Sequence, residues 1–127
     1  MRYFIITALT TYALMHSTLA IAADRYIVRD SSGKRIETVE KSYGDRLIRR
    51  DASGKRIGTI EKGIGDRMIL RDSSGRRTGS IEPGIGDRQY VKDGSGRITH
   101  RIEKGYGGRQ EIRNVNGRRE ATIENRE

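Results

Sequence analysis

The chain has 127 residues, with 26 lysines and arginines against 17 acidic residues, a formal net charge of +9, and neither cysteine nor tryptophan. Those counts exclude disulfide stapling and thiolate chemistry, so a small domain must be held by one modest core and by repetitive packing. Charged residues make up 34% of the chain, a polarity shared with disordered proteins, but a strict internal period argues for a fold instead.

Met1 and Arg2 precede a mostly apolar run from Tyr3 to Met15, and Ala20-Ile21-Ala22 has the small-x-small form that signal peptidase accepts. Residues 1–22 therefore read as a signal helix removed near Ala22 or Ala23. The alternative is a retained membrane anchor, for which the run is short of the roughly 20 residues a span needs. No cysteine follows the apolar run, which excludes a lipoprotein-type lipid anchor. The expected destination is export, to the bacterial periplasm or the medium. Cleavage would remove one cation and no acid, leaving +8.

Residues 24–127 form the expected repeat domain. Its units are DRYIVRDSSGKRIETVEKSYG (24–44), DRLIRRDASGKRIGTIEKGIG (45–65), DRMILRDSSGRRTGSIEPGIG (66–86), DRQYVKDGSGRITHRIEKGYG (87–107) and GRQEIRNVNGRREATIENRE (108–127). Five columns of the 21-residue unit are kept throughout: Arg at position 2, Gly at 10, Lys or Arg at 11, Ile or Val at 16 and Glu at 17. This is repetition within one chain, and it marks what the unit requires.

Each unit reads as a β-hairpin. In the third, Arg67 to Arg71 is a strand, Asp72-Ser73-Ser74-Gly75 a type I turn, and Arg77 to Glu82 the return strand. The Asp caps the turn amides, and the Gly takes the left-handed conformation that closes the turn as a G1 bulge. A second bend, Gly63-Ile64-Gly65-Asp66 and its counterparts, leads to the next hairpin. With the turn bulged, positions 6 and 12 face each other, and position 5 faces 13, 4 faces 14, 3 faces 15 and 2 faces 16. One face then carries Val28 with Ile36, Tyr26 with Thr38 and Leu70 with Thr78. The other carries Ile27, Ile48, Ile69 and Tyr90 with Val39, Ile60, Ile81, Ile102 and Ile123. Neither face is cleanly polar, and a single-layer sheet would leave one of them wet. The predicted architecture is therefore all-β: ten strands closed as a shallow pseudo-fivefold barrel, which hides the inner face and removes free edges. An open elongated meander is the alternative. It is favoured by the polar fifth unit, with Gln110, Glu111 and Glu120, whereas the complete first unit favours closure.

The phrase R-D-x-S-G-[KR]-R resembles the Y-D-x-x-G-R repeat of RHS and YD-repeat proteins, with Asp30, Gly33 and Lys34 and their equivalents at the matching Asp, Gly and basic positions. Where that repeat has Tyr, this chain has Arg29, Arg50, Arg71, Lys92 and Arg113. The count of hairpins and the closure also resemble the β-flower group of small hairpin-repeat proteins. Both resemblances imply a hairpin-repeat fold, and neither carries catalytic residues.

Enzyme chemistry has little to work with. His100 is the one histidine in the expected mature chain and occurs in one unit, where it reads as a polar substitution on a strand. Ser32, Ser53, Ser74 and Ser95 read as turn formers, and no nucleophile, base and orienting group come together. One carboxylate per turn falls short of the oxygen ligands calcium takes, so no metal and no cofactor are expected.

The charges concentrate at the hairpin tips. Position 6 supplies Arg29, Arg50, Arg71, Lys92 and Arg113; position 11 supplies Lys34, Lys55, Arg76, Arg97 and Arg118; position 12 supplies Arg35, Arg56, Arg77 and Arg119, with Ile98 the exception. Like charges opposite one another are unfavourable in a sheet. Either they spread into solvent, paired in part by the turn Asp and the position-17 Glu of neighbouring hairpins, or they hold an anion. The anion would be a lipid head group, a lipopolysaccharide phosphate or an acidic glycan, bound by repeated weak contacts in a peripheral association with the envelope. A protein partner is the other candidate. Nucleic acid would satisfy the charge, but an export signal argues against it. The function expected is that of a non-catalytic binding module, with a structural or assembly component of the envelope as the alternative.

Overall fold

The structure, a computed structural model, describes residues 25–126. The signal-helix expectation for residues 1–22 lies outside the described residues. Ten antiparallel strands close into a barrel: β1 (Arg25–Asp30), β2 (Arg35–Lys41), β3 (Leu47–Asp51), β4 (Arg56–Lys62), β5 (Met68–Asp72), β6 (Arg77–Pro83), β7 (Gln89–Asp93), β8 (Ile98–Lys104), β9 (Gln110–Asn114) and β10 (Arg119–Arg126). Each strand pairs with its sequence neighbours, and β1 pairs with β10 to close the ring, setting Val28 opposite Ile123. The expected all-β hairpin array and its closure both hold, and the open meander does not form. Among the described residues there is no α-helix, only a 3-10 turn at Tyr106–Gly108.

Local chemistry builds the turns as the sequence predicts. In the first hairpin the Gly33 amide donates to the Asp30 carbonyl (3.0 Å) and the Asp30 amide to the Lys34 carbonyl (2.9 Å). Gly33 takes φ 87°, a conformation that other residues adopt only under strain. The same pair of bonds recurs in the four other hairpins.

The strand register departs from the sequence expectation at one point. Arg29 faces Arg35, as predicted for positions 6 and 12, but Val28 then faces Glu37 and Tyr26 faces Val39. A second β-bulge, one residue past the turn pairing, makes position 13 the extra residue. The same shift appears between Arg49 and Arg50, Leu70 and Arg71, Val91 and Lys92, and Arg119 and Ala121. A one-residue slip turns every later side chain of the second strand to the opposite face. The inner face therefore takes positions 3 and 5 from the first strand and 14 and 16 from the second. The Val28–Ile36 and Tyr26–Thr38 pairs expected from the sequence are not formed. The slip also explains why neither expected face was cleanly polar: each mixed an inward strand with an outward one.

Inside, position 16 forms an unbroken aliphatic belt of Val39, Ile60, Ile81, Ile102 and Ile123, each at most 1% exposed. Neighbouring hairpins are staggered so that position 16 of one faces position 5 of the next, as in Ile60 with Leu70 and Ile81 with Val91. Tyr26, Val28, Leu47, Met68, Leu70, Val91, Ile112 and Ala121 complete the core. All hairpin turns gather at one end of the barrel. The connections between hairpins gather at the other, where β1 starts and β10 ends.

Candidate functional site

The hairpin end is a crown of five turns. The Asp30 Oδ1 accepts from the Ser32 hydroxyl (2.6 Å), the Ser32 amide (2.9 Å) and the Lys34 amide (3.0 Å). Asp51, Asp72 and Asp93 repeat that set with Ser53, Ser74 and Ser95. The serine hydroxyl is the main cause holding each of these four carboxyls below the ordinary carboxylate range. In the fifth hairpin the Asn114 Oδ1 takes the same two amides, of Asn116 and Arg118, at 3.0 Å each. The serines are turn formers, as their spacing suggests.

The three columns of tip cations do different things. Position 6 is built into the wall. Arg50, Arg71, Lys92 and Arg113 pair with Glu40, Glu61, Glu82 and Glu103 of the preceding hairpin at 3.2–3.6 Å. Arg29 pairs with Glu124 across the closing seam between β1 and β10. The arginines of this column also donate to the carbonyl of their own turn glycine, as Arg29 does to Gly33 (3.2 Å) and Arg113 to Gly117 (2.8 Å). On the other side of the first four glutamates sits a position-2 arginine of the same hairpin: Arg25 with Glu40, Arg46 with Glu61, Arg67 with Glu82 and Arg88 with Glu103, at 3.2–3.7 Å. The glutamates at position 17 thus serve as a belt of shared carboxylates around the outside.

Positions 11 and 12 are placed otherwise. Lys34, Lys55, Arg76, Arg97 and Arg118 are exposed at the turns, as are Arg35, Arg56, Arg77 and Arg119 beside them. Arg119 reaches Glu111 (3.6 Å). For the other eight, no acidic partner lies within ion-pair distance among the described residues. Arg77 also lines, with Arg67, Ser80, Glu82, Lys92 and the fourth hairpin turn, an outer groove of about 420 Å³ between the third and fourth hairpins.

Sequence reasoning missed the polar groups of the lumen. Arg49 and Glu37 lie on the inner face and pair there, Nε to Oε1 at 3.0 Å. A cation at position 5 beside an apolar belt gave no sign of facing inward until the second bulge was known. His100 also points inward, where its Nε2 lies 2.9 Å from the Glu120 Oε1. Its Nδ1 is buried without a partner among the described residues, as are the side-chain oxygens of Gln89 and Gln110. Compared with protein-family models, with curated proteins and with solved structures, the chain has no significant match.

Proposed function

We propose that this is a non-catalytic exported module that binds an anionic component of the cell envelope through the crown of hairpin tips. One observation carries the reading. Of the five columns kept in every unit, four have a role within the barrel: position 10 gives the turn its left-handed glycine, position 16 the core belt, and positions 2 and 17 the outer ion pairs. The position-11 side chain makes no ion pair among the described residues, and its charge is only a minor cause of the lowered turn carboxyls. Its backbone amide caps the turn Asp, which almost any residue could do. A cation kept five times without an ion pair among the described residues fits a partner outside.

Position 12 adds a second cation at four tips, and arginine suits phosphate and carboxylate because its planar fork bonds both oxygens. Repeated weak contacts around a ring add through effective concentration. Closure supports binding over assembly through strand edges, since a closed barrel offers no free edge as a template. In this reading position 6 scaffolds the tips, and positions 11 and 12 meet the anion.

Heparin affinity chromatography tests it with two charge-matched variants. Replacing Lys55, Arg56 and Arg76 with Glu changes the crown, and replacing Lys62, Lys104 and Arg109 with Glu changes the opposite end. The crown variant is expected to elute at far lower salt than the other. Equal losses would show that the crown is not the preferred anion surface and would end the proposal.

A further inference from the structure

The end of the barrel opposite the crown carries a second unassigned surface. Its four connections, β2 to β3, β4 to β5, β6 to β7 and β8 to β9, place Tyr43, Ile64, Ile85 and Tyr106 at their crests, 97%, 95%, 83% and 92% exposed. Single exposed apolar residues are ordinary, but a cluster of them marks a contact surface. Here the topology sets four of them around one end, because an up-and-down barrel puts every such connection there.

The crests are held in fixed turns. The amides of Ser42, Gly63, Gly84 and Gly105 donate to the carbonyls of Arg46, Arg67, Arg88 and Arg109 at 2.8–2.9 Å. The glycine after each crest takes φ between 64° and 69°. Next to the crests stand the exposed position-2 arginines, and just below them on the outer wall Ile48, Ile69 and Tyr90 are half-buried. The apolar surface thus continues down the wall from the crests. The chain also enters β1 at this end.

We infer that this end docks on an anionic lipid bilayer, with Tyr43, Ile64, Ile85 and Tyr106 dipping into the interface and the neighbouring arginines on the lipid phosphates. Tyrosine suits that depth, having an apolar body and a polar tip, and basic residues are drawn to anionic leaflets. A second copy fits the surface less well, since end-to-end stacking would oppose two chains of net charge +9. The docking does not depend on the crown reading. It would leave the crown facing away from the membrane, toward a glycan or another anion off the bilayer surface.

The absence of tryptophan allows single reporters. Two variants, Ile64→Trp at the crest and Val115→Trp at a hairpin turn, are recovered from the periplasm of an expressing bacterium with their N-termini read by mass spectrometry. Each is then mixed with vesicles of phosphatidylglycerol and phosphatidylethanolamine. The Ile64→Trp emission should shift to the blue and be quenched by brominated lipid, with no change for Val115→Trp. Replacing all four crest residues with Ser should weaken vesicle co-sedimentation at least roughly tenfold, because interfacial binding scales with the apolar area inserted. Three results would overturn the inference. A shift confined to Val115→Trp would mean docking by the crown. An Ile64→Trp emission already blue in buffer would mean the crest is covered by the chain's own apolar run or by a second copy, and sedimentation velocity separates these two. Unchanged binding of the four-serine variant, with its circular dichroism intact, would reduce the association to net charge.

Discussion

Arginine and glutamate meet in two places in this barrel, on the outer wall and in the lumen. Outside, the contact repeats from hairpin to hairpin, with the first four glutamates each shared by at least two cations and open to water, as Glu82 is between Arg67 and Lys92. Inside, it occurs once, between Glu37 and Arg49, whose side chains are 1% and 2% exposed. Most of the equivalent inner positions hold Val28, Leu70, Val91, Ile112, Gly58, Gly79 or Ala121. The outer pairs gain little because water screens them and the long side chains lose freedom. For the inner pair, desolvation makes each partner costly without the other. Repetition in the sequence thus marks the exposed ion pairs, and the most deeply buried one sits where the repeat is broken.

The largest expected effect comes from breaking the inner pair on one side. Glu37→Gln leaves a buried guanidinium without its carboxylate and should cost about 3–5 kcal/mol in urea unfolding. Glu82→Gln on the outer wall should cost at most about 1 kcal/mol. Replacing both inner partners, Glu37→Leu with Arg49→Met, should recover most of the loss, since an apolar pair of similar volume belongs in such a core. Comparable losses for Glu37→Gln and Glu82→Gln would erase the distinction between wall and lumen.

An intermediate effect belongs to the backbone, which the two regions share. Gly75 takes φ 86° with open space around it, so Gly75→Val tests conformation alone. A β-branched residue there should destabilise by roughly 1 kcal/mol or more. A neutral result in urea unfolding would mean the turn does not require its left-handed glycine.

The smallest effect per site is that of pH at the exposed turns. Asp30, Asp51, Asp72 and Asp93 have carboxyls lowered from 3.8 by their serine hydroxyls and turn amides. Their stabilisation is therefore fully present above about pH 4 and is lost as pH falls through the lowered native values. Asn114 shows that an amide oxygen can accept the same two backbone bonds. Replacing the four aspartates with Asn should leave the fold intact at neutral pH and flatten the loss of thermal stability below pH 4. An undiminished acid transition would place its origin elsewhere, in the outer glutamates or the lumen.

The local layer of this structure was legible in the residues. Asp-x-Ser-Gly fixes its turn by hydrogen bonds and dihedral preferences that span five residues, so the turns read correctly from Asp30 to Gly96. The position-16 column read correctly as apolar, yet its partners across the hairpin did not. The bulge at position 13 leaves no residue-type signature, being occupied by Ile36, Ile57, Thr78, Thr99 and Glu120 in turn.

What the sequence by itself determined is the hairpin: its period, its bend, and the columns whose reasons lie within a few residues along the chain. What only the tertiary structure decided is which way the second strand faces, and everything that depends on it. One extra residue in a bulge reverses the inward set of that strand, which sends Arg49 and Glu37 into the lumen together. The stagger between neighbouring hairpins sets each position-17 glutamate beside the position-6 cation of the next unit, and closure brings Arg29 to Glu124, 95 positions away in the chain. The wall and lumen pairs need only neighbouring strands in register, 10 to 12 residues apart, whereas the seam pair exists only once the first strand has met the last.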